Sequence, residues 1–320
     1  MIFEKQILNM YKSMAFSRCD GTGLAFYYSS DVFKGLCKEE FTFKSSKGHN
    51  LQGYLYYYEN PIADRLVVFD HGFGGGHRSY MREIEMLCRR GLRVFAYDHT
   101  GCMCSEGVGT GGMAQSLCDL NDAFCYVKSQ ERFAGCALSV LGHSWGGFSS
   151  ANIAALHPEI KHVVVLSGFV SVKRIVASFF SGLLAPYRSA VLALEQENNA
   201  PLLAYDATET LAKADARILL IYSDNDPLCT RRAQYEPLAE ALSKKENITL
   251  RLEHRKGHNP NYTHDAVKAL ADYARAAKKM GKKKNLTDEE KRAFVSSFDW
   301  ERITAQDADV WDAIYQTLEV

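Results

Sequence analysis

Between residues 40 and 280 the chain alternates between short runs that are apolar throughout and longer stretches whose apolar residues recur at helical spacing. Residues 65–70 (RLVVFD), 92–98 (LRVFAYD), 137–142 (ALSVLG), 162–167 (HVVVLS), 217–223 (RILLIYS) and 248–253 (ITLRLE) read as strands. Residues 79–90, 114–132, 145–157, 231–244 and 261–279 read as helices between and after them. Strands that are apolar on both sides, alternating with amphipathic helices, predict a mostly parallel, doubly wound sheet covered on both faces. Two β-rich runs precede this rhythm, 40–46 (EFTFKSS) and 51–58 (LQGYLYYY), joined by Lys47-Gly48-His49-Asn50, a hairpin signal.

Three stretches stand outside the alternation. Residues 1–39 read as a helical N-terminal extension to an α/β domain at 40–280. Residues 169–216 carry no strand pattern and read as two or three short helices, a lid inserted between strands. Residues 281–320 follow a lysine-rich linker and read as helical, because Thr287 and Glu290 form a capping-box pattern. Phe294, Trp300 and Trp311 give this tail an apolar side, to pack on the domain or on a second subunit of a homodimer.

Composition narrows the class. The chain has 320 residues, 47% hydrophobic and 24% charged, ample for a large core. Lys+Arg 38 against Asp+Glu 38 leaves no net charge, so nothing points to nucleic acid. The first residues, MIFEKQILNMYKSMAF, have charges where a signal peptide needs an apolar run, and no stretch is long enough to span a membrane. Nine cysteines scattered through apolar segments fit reduced thiols and a cytoplasmic location. Cys102 and Cys104 lack a second pair nearby and argue little for zinc.

The candidate chemistry centres on Gly142-His143-Ser144-Trp145-Gly146, a G-x-S-x-G pattern between a strand and a helix. Such a turn exposes a serine hydroxyl at a helix N-terminus. Serine is a poor nucleophile near pH 7 and needs a base, which in turn needs an orienting acid. Later strands run into Asp224-Asn225-Asp226-Pro227 and into His254-Arg255-Lys256-Gly257-His258, which supply both residue types in the order Ser, acid, His. Gly72 to Gly76 follow another strand, and no Gly-Lys-Ser/Thr marks a phosphate loop.

With DHGFGGG (70–76), YDHTGCMCSEG (97–107), LGHSWGG (141–147), YSDNDPL (222–228) and RKGHNP (255–260), the chain resembles the α/β-hydrolases, in the branch of serine aminopeptidase-like and monoacylglycerol-lipase-like enzymes. The resemblance implies Ser144 as nucleophile, Asp226 rather than Asp224 as acid, and His258 rather than His254 or His264 as base. It also implies an oxyanion hole from the backbone N–H groups of Phe73 and Trp145, with His71 a structural hydrogen-bonder beneath it. No cofactor or metal is expected. One departure lies at 98–105, where the family's Asp-x-Arg-Gly-x-Gly-x-Ser has Thr100 for arginine and Met103 for the second glycine.

The expected activity is hydrolysis of carboxylic esters with short- to medium-chain acyl groups, through an acyl-enzyme. Phe179, Phe180, Leu183 and Tyr187 from the lid are the expected acyl pocket. An aminopeptidase or amidase acting on short peptides would need a carboxylate for the substrate ammonium, with Glu195, Glu197 and Glu209 as candidates. A thioesterase or acyltransferase uses the same three residues. A catalytically silent binding protein on this fold is the reading from another class.

Overall fold

The computed structural model describes residues 3–21 and 23–320. Eight strands form one sheet: β1 (Cys37–Lys44), β2 (Asn50–Tyr57), β3 (Arg65–Asp70), β4 (Arg93–Tyr97), β5 (Ala137–His143), β6 (His162–Leu166), β7 (Arg217–Ser223) and β8 (Ile248–Glu253). Their order is β1-β2-β4-β3-β5-β6-β7-β8. The hairpin β1–β2 and the β2–β4 pair are antiparallel, and every later pair is parallel. The sheet is the mostly parallel, doubly wound one that the pattern predicts, and its order is that of the α/β-hydrolase fold implied by the resemblance. Apolar strands such as HVVVL, buried at all five positions, occur here because helices cover both faces.

Two apolar clusters lie on opposite faces. One holds Leu66, Val140, Val163 and Leu220 with Phe124 and Phe148 of the helices Gln115–Ser129 and Trp145–Asn152. Tyr11 and Ala15 of the N-terminal helix Glu4–Ala15 join this cluster. The other holds Phe69, Val164, Leu219 and Ile221 with Ile84 and Leu87 of the helix Met81–Arg89. The C-terminal helix Ala308–Leu318 completes it by laying Val310, Trp311, Ile314 and Leu318 over β6 and β7. The tail therefore packs on its own sheet. Its preceding turn packs through Trp300, stacked on Phe26 at 4.3 Å.

The helical reading of residues 1–39 holds only in part. Helix covers Glu4–Ala15 and one short 3-10 turn covers Ser30–Val32, while Cys37 already opens β1. Gly21 sits at φ +65° and Ser29 leads an Asx-like turn into Asp31, so local side chain–backbone bonds displace the helix. Met1, Ile2 and Thr22 lie outside the described residues. In the inserted segment the helices are Val172–Phe179, Arg188–Asn199 and Ala207–Lys213, with 3-10 turns between them. Among the described residues no helix is long and apolar enough to cross a membrane.

Candidate active site

The parallel strands β3, β5, β7 and β8 all point their carboxyl ends to one edge, and the loops leaving them meet there. Ser144 follows β5 directly, at φ +56° and ψ −109°, and heads the helix Trp145–Asn152. A non-glycine residue in this region is strained, and the surroundings hold it there. Its N–H donates to the Leu166 carbonyl at 2.9 Å. A Cβ on Gly142 would run into the Gly146 carbonyl, and one on Gly146 into the Asp70 carbonyl. The two motif glycines thus permit contacts that any side chain would block.

Ser144 Oγ lies 2.8 Å from His258 Nε2, and His258 Nδ1 lies 2.7 Å from Asp226 Oδ2. The other Asp226 oxygen accepts the Leu228 and Cys229 N–H groups at 2.8 and 3.0 Å. Burial pushes the Asp226 carboxyl up, yet the His258 bond and these N–H donors hold it below the usual carboxylate range. Asp224 instead pairs with exposed His254 at 2.7 Å, and His264 donates to the His254 carbonyl. The structure therefore sets Asp226 and His258, not Asp224, His254 or His264, beside Ser144.

Phe73 and Trp145 line the same cavity as Ser144 and His258. Trp145 is the first residue of its helix, so its N–H lacks an intrahelical partner and is free for a ligand. His71 sets the plane of the Gly72–Phe73 peptide. Its Nε2 accepts the His99 N–H at 3.0 Å, so Nδ1 carries the proton and donates to the Gly72 carbonyl at 2.8 Å. Burial, aided by His99, lowers the His71 pKa to about 3 and keeps that neutral tautomer.

His143, the variable residue before the serine, carries a second support. Its Nε2 donates to the His258 carbonyl at 2.8 Å. Burial and the nearby His258 lower its pKa to about 3, so Nδ1 is an acceptor and takes a bond from the Tyr80 hydroxyl at 2.8 Å. The same hydroxyl accepts the Gly72 N–H at 3.1 Å. One Tyr–His pair thus fastens the Gly72 loop to the His258 loop. Nothing in the pattern around Tyr80 signals this role; it depends on contacts across 63 residues.

Behind the helix, the His99 ring packs tilted against Trp145 at 4.6 Å between ring centres. Its Nε2 forms an ion pair with Asp70 at 2.7 Å, and its Nδ1 hydrogen-bonds Asp119 at 3.2 Å. Burial opposes its charge, but the two carboxylates prevail and raise its pKa to about 9. Asp119 also takes the N–H and hydroxyl of Thr100, both at 2.8 Å. The threonine that departs from the family pattern is therefore packed as a buried donor.

The cavity above Ser144 has a volume of about 370 Å³ and is lined by Met14, Met113, Phe169, Ile175, Phe179 and Leu228 beside the polar groups just described. Of the four lid residues expected there, Phe179 lines it. Phe180 does not; it is buried and packs edge-on against Tyr11 at 5.8 Å. Leu183 is 97% exposed, and Tyr187 rests half-buried on the core. The pocket wall comes instead from the N-terminal helix and from Met113, which no local motif marks.

None of the carboxylates proposed to hold an ammonium lines the cavity. Glu195 is wholly buried and accepts the Tyr11 hydroxyl at 2.6 Å and the Met113 N–H at 2.9 Å. Asp226, Cys229 and His258 bring a carboxylate, a thiol and an imidazole within 4.8 Å of one another, a donor set able to hold a divalent ion. The carboxylate and imidazole are already engaged with each other and Ser144, and burial raises the Cys229 thiol well above its usual pKa.

Residues 61–201 match the family model described as serine aminopeptidase, S33. A search of the curated proteins by sequence found no match. Among solved structures, an esterase from Pyrococcus furiosus aligns with TM-score 0.58 at 15% identity, covering 88% of this chain and 99% of that one. An acetyl xylan esterase from Paenibacillus sp. R4 aligns with TM-score 0.57 at 17% identity, covering 86% and 93%. Acetyl xylan esterase 1 from Thermoanaerobacterium sp. aligns with TM-score 0.52 at 15% identity, again covering 86% and 93%. Residues 61–201 are thus similar to the serine aminopeptidases, and the chain as a whole has the α/β-hydrolase fold.

Proposed function

We propose that the protein is a serine hydrolase of carboxylic esters bearing short- to medium-chain acyl groups. The observation that carries this reading is the 2.8 Å contact between Ser144 Oγ and His258 Nε2 at the floor of an apolar cavity. Ser144 Oγ attacks the ester carbonyl carbon while His258 Nε2 takes its proton. The oxygen that becomes anionic faces the Phe73 and Trp145 N–H groups. The imidazolium, oriented by Asp226, returns the proton to the leaving alcohol, and water then cleaves the acyl-enzyme by the same route.

The apolar wall favours an acyl chain over an α-amino group, because among the described residues no aspartate or glutamate lines it. That observation sets ester cleavage ahead of aminopeptidase chemistry. The three structural neighbours, all esterases, point the same way.

A fluorophosphonate probe tests the nucleophile. The native chain is expected to label and Ser144→Ala to remain unlabelled, with kcat on p-nitrophenyl esters lower by roughly 10⁴–10⁶-fold. Labelling that persists in Ser144→Ala would falsify the assignment. A folded native chain that neither labels nor turns over any ester would favour the silent binding protein. Faster cleavage of aminoacyl-anilides than of esters would favour the peptidase reading.

A further inference from the structure

The segment that leaves the N-terminal helix runs beside the turn after β4 and pairs with it at one point. The Cys19 N–H donates to the Gly101 carbonyl and the Met103 N–H donates to the Cys19 carbonyl, both at 2.8 Å, which makes Cys19 and Cys102 bridged partners of a short parallel ladder. Partners on adjacent strands lie about 5 Å apart, within the Cα separation that a disulfide spans. Directly paired positions on neighbouring strands carry their side chains on the same face, so the two thiols project side by side. The Cys19 thiol donates to the Ser17 carbonyl at 3.9 Å. Both thiols are free, Cys19 partly exposed and Cys102 buried.

We propose that Cys19 and Cys102 form a peroxide-reactive dithiol site, with Cys19 the attacking thiolate and Cys102 the resolving thiol. The asymmetry of exposure assigns the roles. A peroxide reaches Cys19 from solvent and does not reach Cys102. The Cys102 thiol beside it, followed by the Gly74 backbone, outweighs burial and lowers the Cys19 pKa to about 7, so a large share is thiolate at neutral pH. Cys19 sulfur attacks one peroxide oxygen, the O–O bond breaks, and hydroxide leaves, giving a sulfenic acid. The Cys102 sulfur then attacks the Cys19 sulfur, the S–O bond breaks, and the hydroxide released takes the Cys102 proton to become water. Two thiols and one hydrogen peroxide become one disulfide and two waters, with two electrons passing from sulfur to oxygen.

The bond would join the chain just after the helix that carries Tyr11 and Met14 to the turn behind the Gly72–Gly76 loop. It closes a long stretch of sequence, so it restricts the unfolded chain more than a local cross-link would. The site stands apart from the hydrolytic reading, and its test does not use hydrolysis.

The full chain, reduced and desalted, is treated at pH 7 with one equivalent of hydrogen peroxide, alkylated and mapped by peptide mass. A single dithiothreitol-sensitive Cys19–Cys102 cross-linked peptide is expected, formed about ten-fold faster than exposed Cys37 or Cys125 is oxidised. The oxidised chain is expected to melt several degrees above the reduced one. Cys19→Ser should remove both the cross-link and the rise in melting temperature. Cys102→Ser should leave a sulfenic acid at Cys19 that dimedone traps. Because Cys102 is buried, the Cys19→Ser result decides if the second variant folds poorly. The proposal is overturned if Cys19 and Cys102 stay alkylatable while other thiols oxidise, or if Cys19 links to Cys104 instead.

Discussion

At the scale of single residues, Gly72 is held through both its carbonyl and its N–H, and each hold predicts a distinct loss. His71 Nδ1 fixes its carbonyl and thereby the direction of the Phe73 N–H on the opposite side of the same planar unit. On the proposed mechanism His71→Ala frees that plane, and kcat is expected to fall about 10–100-fold with little change in KM. An equal loss in KM alone would mean that the peptide serves binding and not the transition state. Tyr80→Phe removes the acceptor of the Gly72 N–H and the donor to His143 together. Two buried groups then lose partners, so a drop in stability of about 2–4 kcal/mol by denaturant titration accompanies the loss in kcat. The serine was readable in the sequence because its turn requires glycines at fixed offsets. The choice of Asp226 and His258 came from the family pattern, and their pairing is a matter of distances. Tyr80 and the tautomers of His71 and His143 were not readable, because each is set by partners that only folding brings near.

At the scale of elements, the strands announced themselves and the pocket wall did not. Strands buried on both faces, such as RILLIYS of β7, are apolar without interruption, so their extent follows from composition alone. The wall is assembled from three elements held by one buried carboxylate. Glu195 of the helix Arg188–Asn199 takes the Tyr11 hydroxyl from the N-terminal helix and the Met113 N–H from the loop before Gln115–Ser129. Gly112, at φ +99°, packs its backbone against that carboxylate, where a Cβ would collide with it. Met113 in turn accepts the Trp145 indole N–H through its carbonyl at 2.7 Å. In the sequence Glu195 reads as one glutamate among several on a helix, because nothing nearby shows that its partners lie 82 and 184 residues away. Glu195→Ala is expected to cost about 3 kcal/mol or more, since it strands a hydroxyl and an N–H in the interior. Because Met14 and Met113 line the cavity, KM for longer acyl esters should rise more than for acetyl esters. A uniform fall in kcat across chain lengths, with KM unchanged, would separate this clamp from the pocket.

At the scale of the whole molecule, the sheet is closed at its far face by the tail, and one buried carboxyl stands at that seam. Glu83 of the helix Met81–Arg89 accepts the Asn261 and Gln306 side-chain amides, both at 3.1 Å, where the segment after His258 meets the segment before the last helix. Tyr262 and Gln306 pair there, and Asp307 N–H reaches the Asn261 carbonyl at 2.8 Å. Burial raises the Glu83 pKa to about 7, and the amide bonds only partly offset it. A carboxyl whose folded-state pKa exceeds its unfolded one is neutral without penalty below about pH 4.5 and costs stability as pH rises toward 7. His99 acts in the same direction at higher pH. Its folded-state pKa is raised to about 9, so its contribution is complete below about pH 6.5 and lost as pH climbs through 9. His71 and His143 oppose both on the acid side, because each must be charged to bind protons below about 6.5 and the fold resists that down to about pH 3. The melting temperature should therefore peak between about pH 5 and 6.5 and fall by several degrees toward pH 9. Glu83→Gln keeps an acceptor for both amides and cannot ionise. It should steepen the rise between pH 5 and 6.5, move the maximum toward pH 7, and leave the decline from 7 to 9 intact, since that part belongs to His99. Calorimetry across the range decides it: a variant as steep as the native chain between pH 5 and 7 would remove Glu83 from the account, and a native curve that keeps rising above pH 7 would remove His99.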